Sequence, residues 1–115
     1  MLQIANAESN SAYLSACKSI GIKAHPARFP SKLPEFFIKM LTDEDDLVLD
    51  IFGGSNTTGY VAERENRKWM SFNESKQYVS SSIFRFFDKK TSPELMNKLY
   101  DKVFSGESVD LTKYL

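Results

Sequence analysis

The stretch Leu47-Val-Leu-Asp-Ile-Phe-Gly-Gly-Ser-Asn-Thr-Thr-Gly59 constrains the fold more than any other: an apolar run ends in an acid and then breaks into small, turn-forming residues. Leu47 to Leu49 show no polar alternation, the pattern of a strand buried on both faces of a parallel sheet, although so short a run also suits a buried helix. The residues after Asp50 decide for the strand. Gly53 and Gly54 let the backbone bend and approach a ligand, and Asn56 belongs to the few non-glycine types that tolerate positive φ. Thr57 or Ser55 then caps a helix running from about Thr58 to Glu65. Ligands of open α/β sheets lie at the carboxyl ends of the strands, where helix N-termini offer N–H groups to anionic moieties.

Two familiar glycine loops fail on spacing. A P-loop requires Lys and Ser or Thr straight after its last glycine, whereas Gly59 is followed by Tyr60 and Val61. The dinucleotide fingerprint fails because Gly53 and Gly54 are adjacent and Asn56 stands where a second spaced glycine belongs.

A length of 115 residues with 42% hydrophobic content builds one small domain. Zero net charge argues against a self-sufficient nucleic-acid binder, which carries a basic excess or stripe. No apolar run approaches membrane-spanning length and no signal peptide is visible, so a cytoplasmic protein without membrane contact is expected. The single cysteine, Cys17, reads as a buried small apolar residue, and the single histidine, His25, makes no zinc cluster.

In chain order, Leu2 to Ala5 reads as a short strand, and Ser9, Asn10 and Ser11 offer caps for a helix from about Ser11 to Ile20, closed by Gly21. Tyr13, Leu14, Cys17 and Ile20 form its apolar stripe. The segment Gly21–Pro30 carries two prolines and no periodicity, hence an extended loop. Ser31 caps the next helix, in which Leu33, Phe36, Phe37, Met40 and Leu41 match the i, i+3, i+4, i+7, i+8 pattern. The four acids Asp43–Asp46 cannot all converge on one cation and read as a solvated turn. A second strand, Lys68–Phe72, comes after the turn Glu65-Asn-Arg67 and lies parallel to the first. It ends at Asn73 and Glu74, about 20 residues past the glycines, where doubly wound folds place an acid for ribose hydroxyls. A helix over Ser75–Phe86 turns Val79, Ile83 and Phe86 to the sheet, and Arg85 with Lys89 and Lys90 reads as a solvated basic turn. Ser92 and Pro93 start a last helix with Leu95, Met96, Leu99, Tyr100, Val103 and Phe104 on one face; Gly106 ends it, and the tail packs as an extended cover.

Asp50-Ile-Phe-Gly-Gly-Ser-Asn-Thr-Thr58 resembles motif I of S-adenosylmethionine-dependent DNA methyltransferases, Asp-Pro-Phe-x-Gly-Ser-Gly-Thr-Thr, in some members of which Asn replaces the last glycine. His25-Pro-Ala-Arg-Phe-Pro30 with its adjoining helix resembles their motif X, in the right order and spacing. Val61-Ala-Glu-Arg-Glu-Asn-Arg-Lys-Trp69 with Tyr78 is similar to the surroundings of motif II, but Asn73 occupies its acidic position. The resemblance runs from near Leu2 to at least Phe86. It implies a partial Rossmann-like α/β fold, two or three parallel strands flanked by helices in an incomplete sheet. Residues 1–41 hold the first helix and motif X, 47–86 the motif I and II unit, and 92–115 the last helix and tail. It implies S-adenosylmethionine as cofactor, held by Phe29, Pro30, Asp50, Phe52, Gly53, Gly54, Ser55, Asn56, Thr57, Thr58, Asn73 and Glu74. Asp50 would take the ammonium and backbone N–H groups the carboxylate.

The resemblance is to the beta-arranged amino-methyltransferases of restriction-modification systems, in which motifs X, I and II come after the catalytic half and the target-recognition region. The wording of Ser55-Asn-Thr-Thr58 and Ser82-Ile-Phe-Arg-Phe86 is closer to cytosine-N4 than adenine-N6 enzymes. Their catalytic signature, Ser or Asp before two prolines and an aromatic, is absent, since no two of Pro26, Pro30, Pro34 and Pro93 are adjacent. The chain is therefore expected to be inactive alone and to act with a second polypeptide that carries catalysis and target recognition and brings double-stranded DNA. The alternatives are a non-enzymatic remnant serving as a binding or regulatory module, and a small nucleotide-binding α/β protein. An incomplete sheet also predicts self-association.

Overall fold

The computed structural model describes residues 11–25, 30–87 and 91–114, with side chains from Tyr13 onward. The proposed strand Leu2–Ala5, the candidate caps Ser9 and Asn10, the site residue Phe29, and Lys89 and Lys90 lie outside the described residues. The elements are α1 (Ser11–Ser19), α2 (Lys32–Leu41), β1 (Leu47–Asp50), α3 (Thr57–Arg64), β2 (Lys68–Ser71), α4 (Lys76–Ser82), a 3₁₀ turn (Ile83–Phe86), α5 (Pro93–Phe104) and a second 3₁₀ turn (Leu111–Lys113).

β1 and β2 pair in parallel, Leu47 opposite Lys68 and Asp50 opposite Ser71. They form a two-stranded sheet, the incomplete α/β arrangement expected. Arg67 ties the entry of β2 to the end of α2, donating from Nε to Thr42 Oγ1 at 3.0 Å and from its terminal nitrogen to the Thr42 carbonyl at 2.8 Å. The four acids form an exposed turn in which Asp43 N–H donates to Asp46 Oδ2 at 2.9 Å.

The strands are not buried on both faces. Val48 and Trp69 pack with Tyr60 on a small cluster of Ile38, Val61 and Ala62. Alternate residues face away: Leu47, Leu49 and Met70 are 57%, 59% and 50% exposed. α2 departs from its periodicity in the same way, because the residues it buries are Pro34 and Ile38. Phe36, Phe37, Met40 and Leu41 are exposed instead. The apolar stripe exists, but nothing among the described residues covers it. A groove of about 520 Å³ runs between α2 and β1, from Leu33 and Phe37 to Asp50 and Thr58.

The larger core lies away from the sheet. Tyr13, Ala16, Cys17, Ile83, Phe84, Phe87, Met96 and Leu99 are buried together between α1, the 3₁₀ turn and α5, with Val109, Leu111 and Tyr114 of the tail packed against them. Cys17 is buried as expected, whereas Leu14 is exposed and Ala16 takes its place in the stripe. Ile83 joins this core, Val79 is exposed, and Phe86 alone of the three reaches the sheet, stacking on Trp69 at 5.3 Å between centroids. The reason is that α4 ends at Ser82: Ser80, Ser81 and Ser82 each donate a hydroxyl to a carbonyl of their own helix, which loosens it before it tightens to 3₁₀ geometry. Ser92 caps α5 through Leu95 N–H with Pro93 at the first position, as expected. Ser31 makes no side-chain cap on α2. No described helix is long and apolar enough to cross a membrane.

Candidate cofactor loop

The loop after β1 sits at the carboxyl ends of both strands, fastened to the end of β2 by Gly53 N–H donating to the Phe72 carbonyl at 2.8 Å. A Cβ on Gly53 would collide with the Ser71 hydroxyl, so glycine permits this approach. Gly54 (φ 57°) and Asn56 (φ 63°) are both left-handed, and Asn56 N–H closes the turn on the Gly53 carbonyl at 2.7 Å. Asn56 is also the cap of α3, accepting Gly59 N–H on Oδ1 at 3.0 Å; neither Thr57 nor Ser55 fills that role. The positive φ and the cap are separate sequence signals that fall on one residue.

Asp50 is half-buried at the end of β1 and accepts Phe52 N–H on Oδ1 at 2.9 Å. Phe52 is 83% exposed, while Ser55, Asn56 and Thr57 are buried. Pro30 is buried and His25 half-buried, its imidazole over the loop: a Cβ on Gly54 would lie 3.3 Å from Nε2. The same ring meets Tyr78 edge-on at 4.4 Å. Asn73 is half-buried at the end of β2 and accepts Ser75 N–H on Oδ1 at 2.8 Å, so what it chiefly has to offer a ligand is its NH2 group. Glu74 is exposed.

The structure thus gathers Asp50, Gly53–Thr58 and Asn73 at one end of the sheet but divides them between two depressions. Asp50 and Thr58 face the groove beside α2; Gly54, Asn56 and Asn73 line a smaller hollow of about 190 Å³ with Ser71 and Phe72.

Sequence reading misses Arg85. It is 6% exposed, not a solvated cation, and its guanidinium donates to the Ser55 carbonyl and to Ser55 Oγ, both at 2.6 Å. A signal exists: Ser81 and Arg85 are four apart, on one face of a helical segment whose neighbours Ile83 and Phe84 are apolar. Tyr13, 1% exposed beneath that guanidinium, has its phenol pKa raised, chiefly by burial.

A family model for DNA methylases of the N6/N4 type matches residues 3–84. Over all 115 residues the chain is 61% identical to the type II methyltransferase M.PvuII of Proteus hauseri, aligning with the C-terminal part and spanning 34% of that protein. It is 36% identical over 85 residues to M.BamHI of Bacillus amyloliquefaciens, covering 71% of this chain and 20% of that one. Among solved structures, the cytosine-N4-specific PvuII DNA methyltransferase superposes with a TM-score of 0.91 at 64% identity, over 96% of this chain and 39% of that one. The chain spans about a third of the length of M.PvuII. With a matching family model over most of its residues and a matching fold, this chain belongs to the N6/N4 DNA methylase family.

Proposed function

We propose that the chain is the S-adenosylmethionine-binding part of a site-specific cytosine-N4 DNA methyltransferase, working with a second polypeptide that carries the catalytic motif and target recognition and presents double-stranded DNA. The observation that carries this reading is the likeness to M.PvuII along the whole chain, together with a motif I loop that forms a closed, buried turn at the strand ends. The cofactor supplies an electrophilic methyl on a sulfonium. It has a carboxylate and an ammonium but no phosphate, and the donor set fits it. Asp50 accepts Phe52 N–H on one carboxylate oxygen and offers the other to the ammonium, and Arg85 holds Ser55 in the turn beside it.

Support for a partner comes from the open side. The exposed residues of α2, β1 and β2 form the kind of contiguous apolar patch that marks an interaction surface. The catalytic signature is absent from this sequence, and an exocyclic amine reacts only when its base has been flipped out and held. Mixing the purified chain with a polypeptide carrying that signature, DNA and labelled cofactor should give base methylation that neither gives alone. Activity from this chain by itself would sink the proposal.

One observation favours a second reading, the non-enzymatic remnant: Asn73 stands where motif II has an acid, and its single side-chain oxygen already accepts Ser75 N–H, leaving one lone pair and no charge for a ribose. A silent mixture together with absent cofactor binding would establish it.

A further inference from the structure

The cofactor loop is held from behind by contacts that return to their starting point. Arg85 bonds both the carbonyl and the hydroxyl of Ser55, and its guanidinium carbon sits 4.6 Å from the centre of the Tyr13 ring. The Tyr13 hydroxyl accepts His25 N–H at 3.1 Å and lies 3.3 Å from Ser81 Oγ. Ser81 Oγ also bonds the Tyr78 carbonyl at 3.2 Å, which ties the Tyr13 hydroxyl to α4. His25 in turn lays its imidazole against Gly54. The path Ser55, Arg85, Tyr13, His25, Gly54 therefore closes on two consecutive residues of the loop.

We infer that Arg85 and Tyr13 are positioning residues that preset the Gly54–Asn56 turn and couple it to His25 before any ligand arrives. A planar fork that grips two oxygens of one residue fixes that residue's orientation, which an ammonium on a flexible stem does not. Ser55 stands between two left-handed residues, so its orientation sets the direction of the flanking N–H groups. The aromatic face replaces part of the water that a buried guanidinium gives up.

The ligand side of this inference rests on the proposed cofactor; the loop side does not. The test is a double-mutant cycle of Arg85→Lys, which keeps the charge and loses the fork, and Tyr13→Phe, which keeps the ring and loses the relay. Calorimetry with S-adenosylmethionine reads affinity, and hydrogen exchange of the ligand-free protein reads the Asn56 amide. Arg85→Lys should weaken binding about tenfold and Tyr13→Phe by less, with the double variant weaker than wild type by less than the product of the two. Both should speed exchange at Asn56 while leaving Leu99 in α5 protected; Met96→Ala, which weakens the core that Tyr13 shares but removes no link of this path, should leave Asn56 unchanged relative to the global unfolding limit. Unaltered exchange at Asn56 in Arg85→Lys, or strictly multiplicative effects of the two substitutions, would overturn the inference. If wild-type chain binds no cofactor, the functional reading fails, and the exchange result still decides the positioning role.

Discussion

The two apolar clusters of this small protein are built from similar residues and end in opposite states. Around Tyr13, Phe84 and Leu99, each at most 1% exposed, α1, α5 and the 3₁₀ turn close on one another and the tail lies across them. Beside the sheet, three residues are buried, while Leu41, Ile51 and Leu47 are 71%, 61% and 57% exposed. The first is a closed core; the second is left open by the described residues. The difference teaches that apolar periodicity states that a segment has a face to bury, not which neighbour buries it. The candidate cofactor loop lies at the seam, with its back fastened to the closed side and one depression opening toward the other.

Substitutions should separate the two sides. Leu99→Ala, cutting a fully buried side chain, is expected to cost about 3 kcal/mol in denaturant unfolding. A loss under about 1 kcal/mol would mean the closed side is no better packed than the open one. Next in size, Asn56→Ala removes the cap of α3 and puts a residue without a side-chain amide into a left-handed position, for about 2 kcal/mol by the same measurement. Gly at that position should recover part of it, since glycine accepts the angle without strain.

At the seam, Asn73→Asp should tighten S-adenosylmethionine binding by about 1 kcal/mol in calorimetry. One carboxylate oxygen keeps the Ser75 N–H and the other becomes available to a ribose hydroxyl. A neutral result removes position 73 from the ribose site. The smallest effect on stability should come from the open face: Leu49→Lys should move unfolding by no more than about 0.5 kcal/mol. Sedimentation should nevertheless show less self-association, because a charge now interrupts the patch. Unchanged association would point to another surface, and a large stability loss would mean that face is covered within the chain.

Local chemistry is legible in the sequence wherever it depends on neighbours along the chain. The strand of Leu47–Asp50, the turn after it, the parallel partner at Lys68 and the Ser92-Pro93 helix start are all dictated by residues within one or two turns. The family is legible because three motifs occur in order. Burial in three dimensions is less so. Leu14 and Ala16 exchange places because the stripe of α1 is set by the 3₁₀ turn and α5 packed against it, and α2 shows its apolar face to no partner among the described residues. Arg85 reads as solvated because burying a guanidinium is costly until its acceptors are known, and Ser55 is 30 residues away in the chain.

The switch from α4 to 3₁₀ geometry also acts as a screw gauge for the loop. A 3₁₀ step advances about 0.5 Å more and turns about 20° more than an α step, so over the three residues from Ile83 to Arg85 the difference amounts to about 1.5 Å and about 60°. That offset belongs to the backbone that carries Arg85 to Ser55. The three serines that loosen the helix just upstream bond only carbonyls of that helix through their hydroxyl hydrogens, yet they set the aim of a side chain beyond it. Alanine at those positions is expected to change the pitch, with the effect read at Ser55 in the turn after β1.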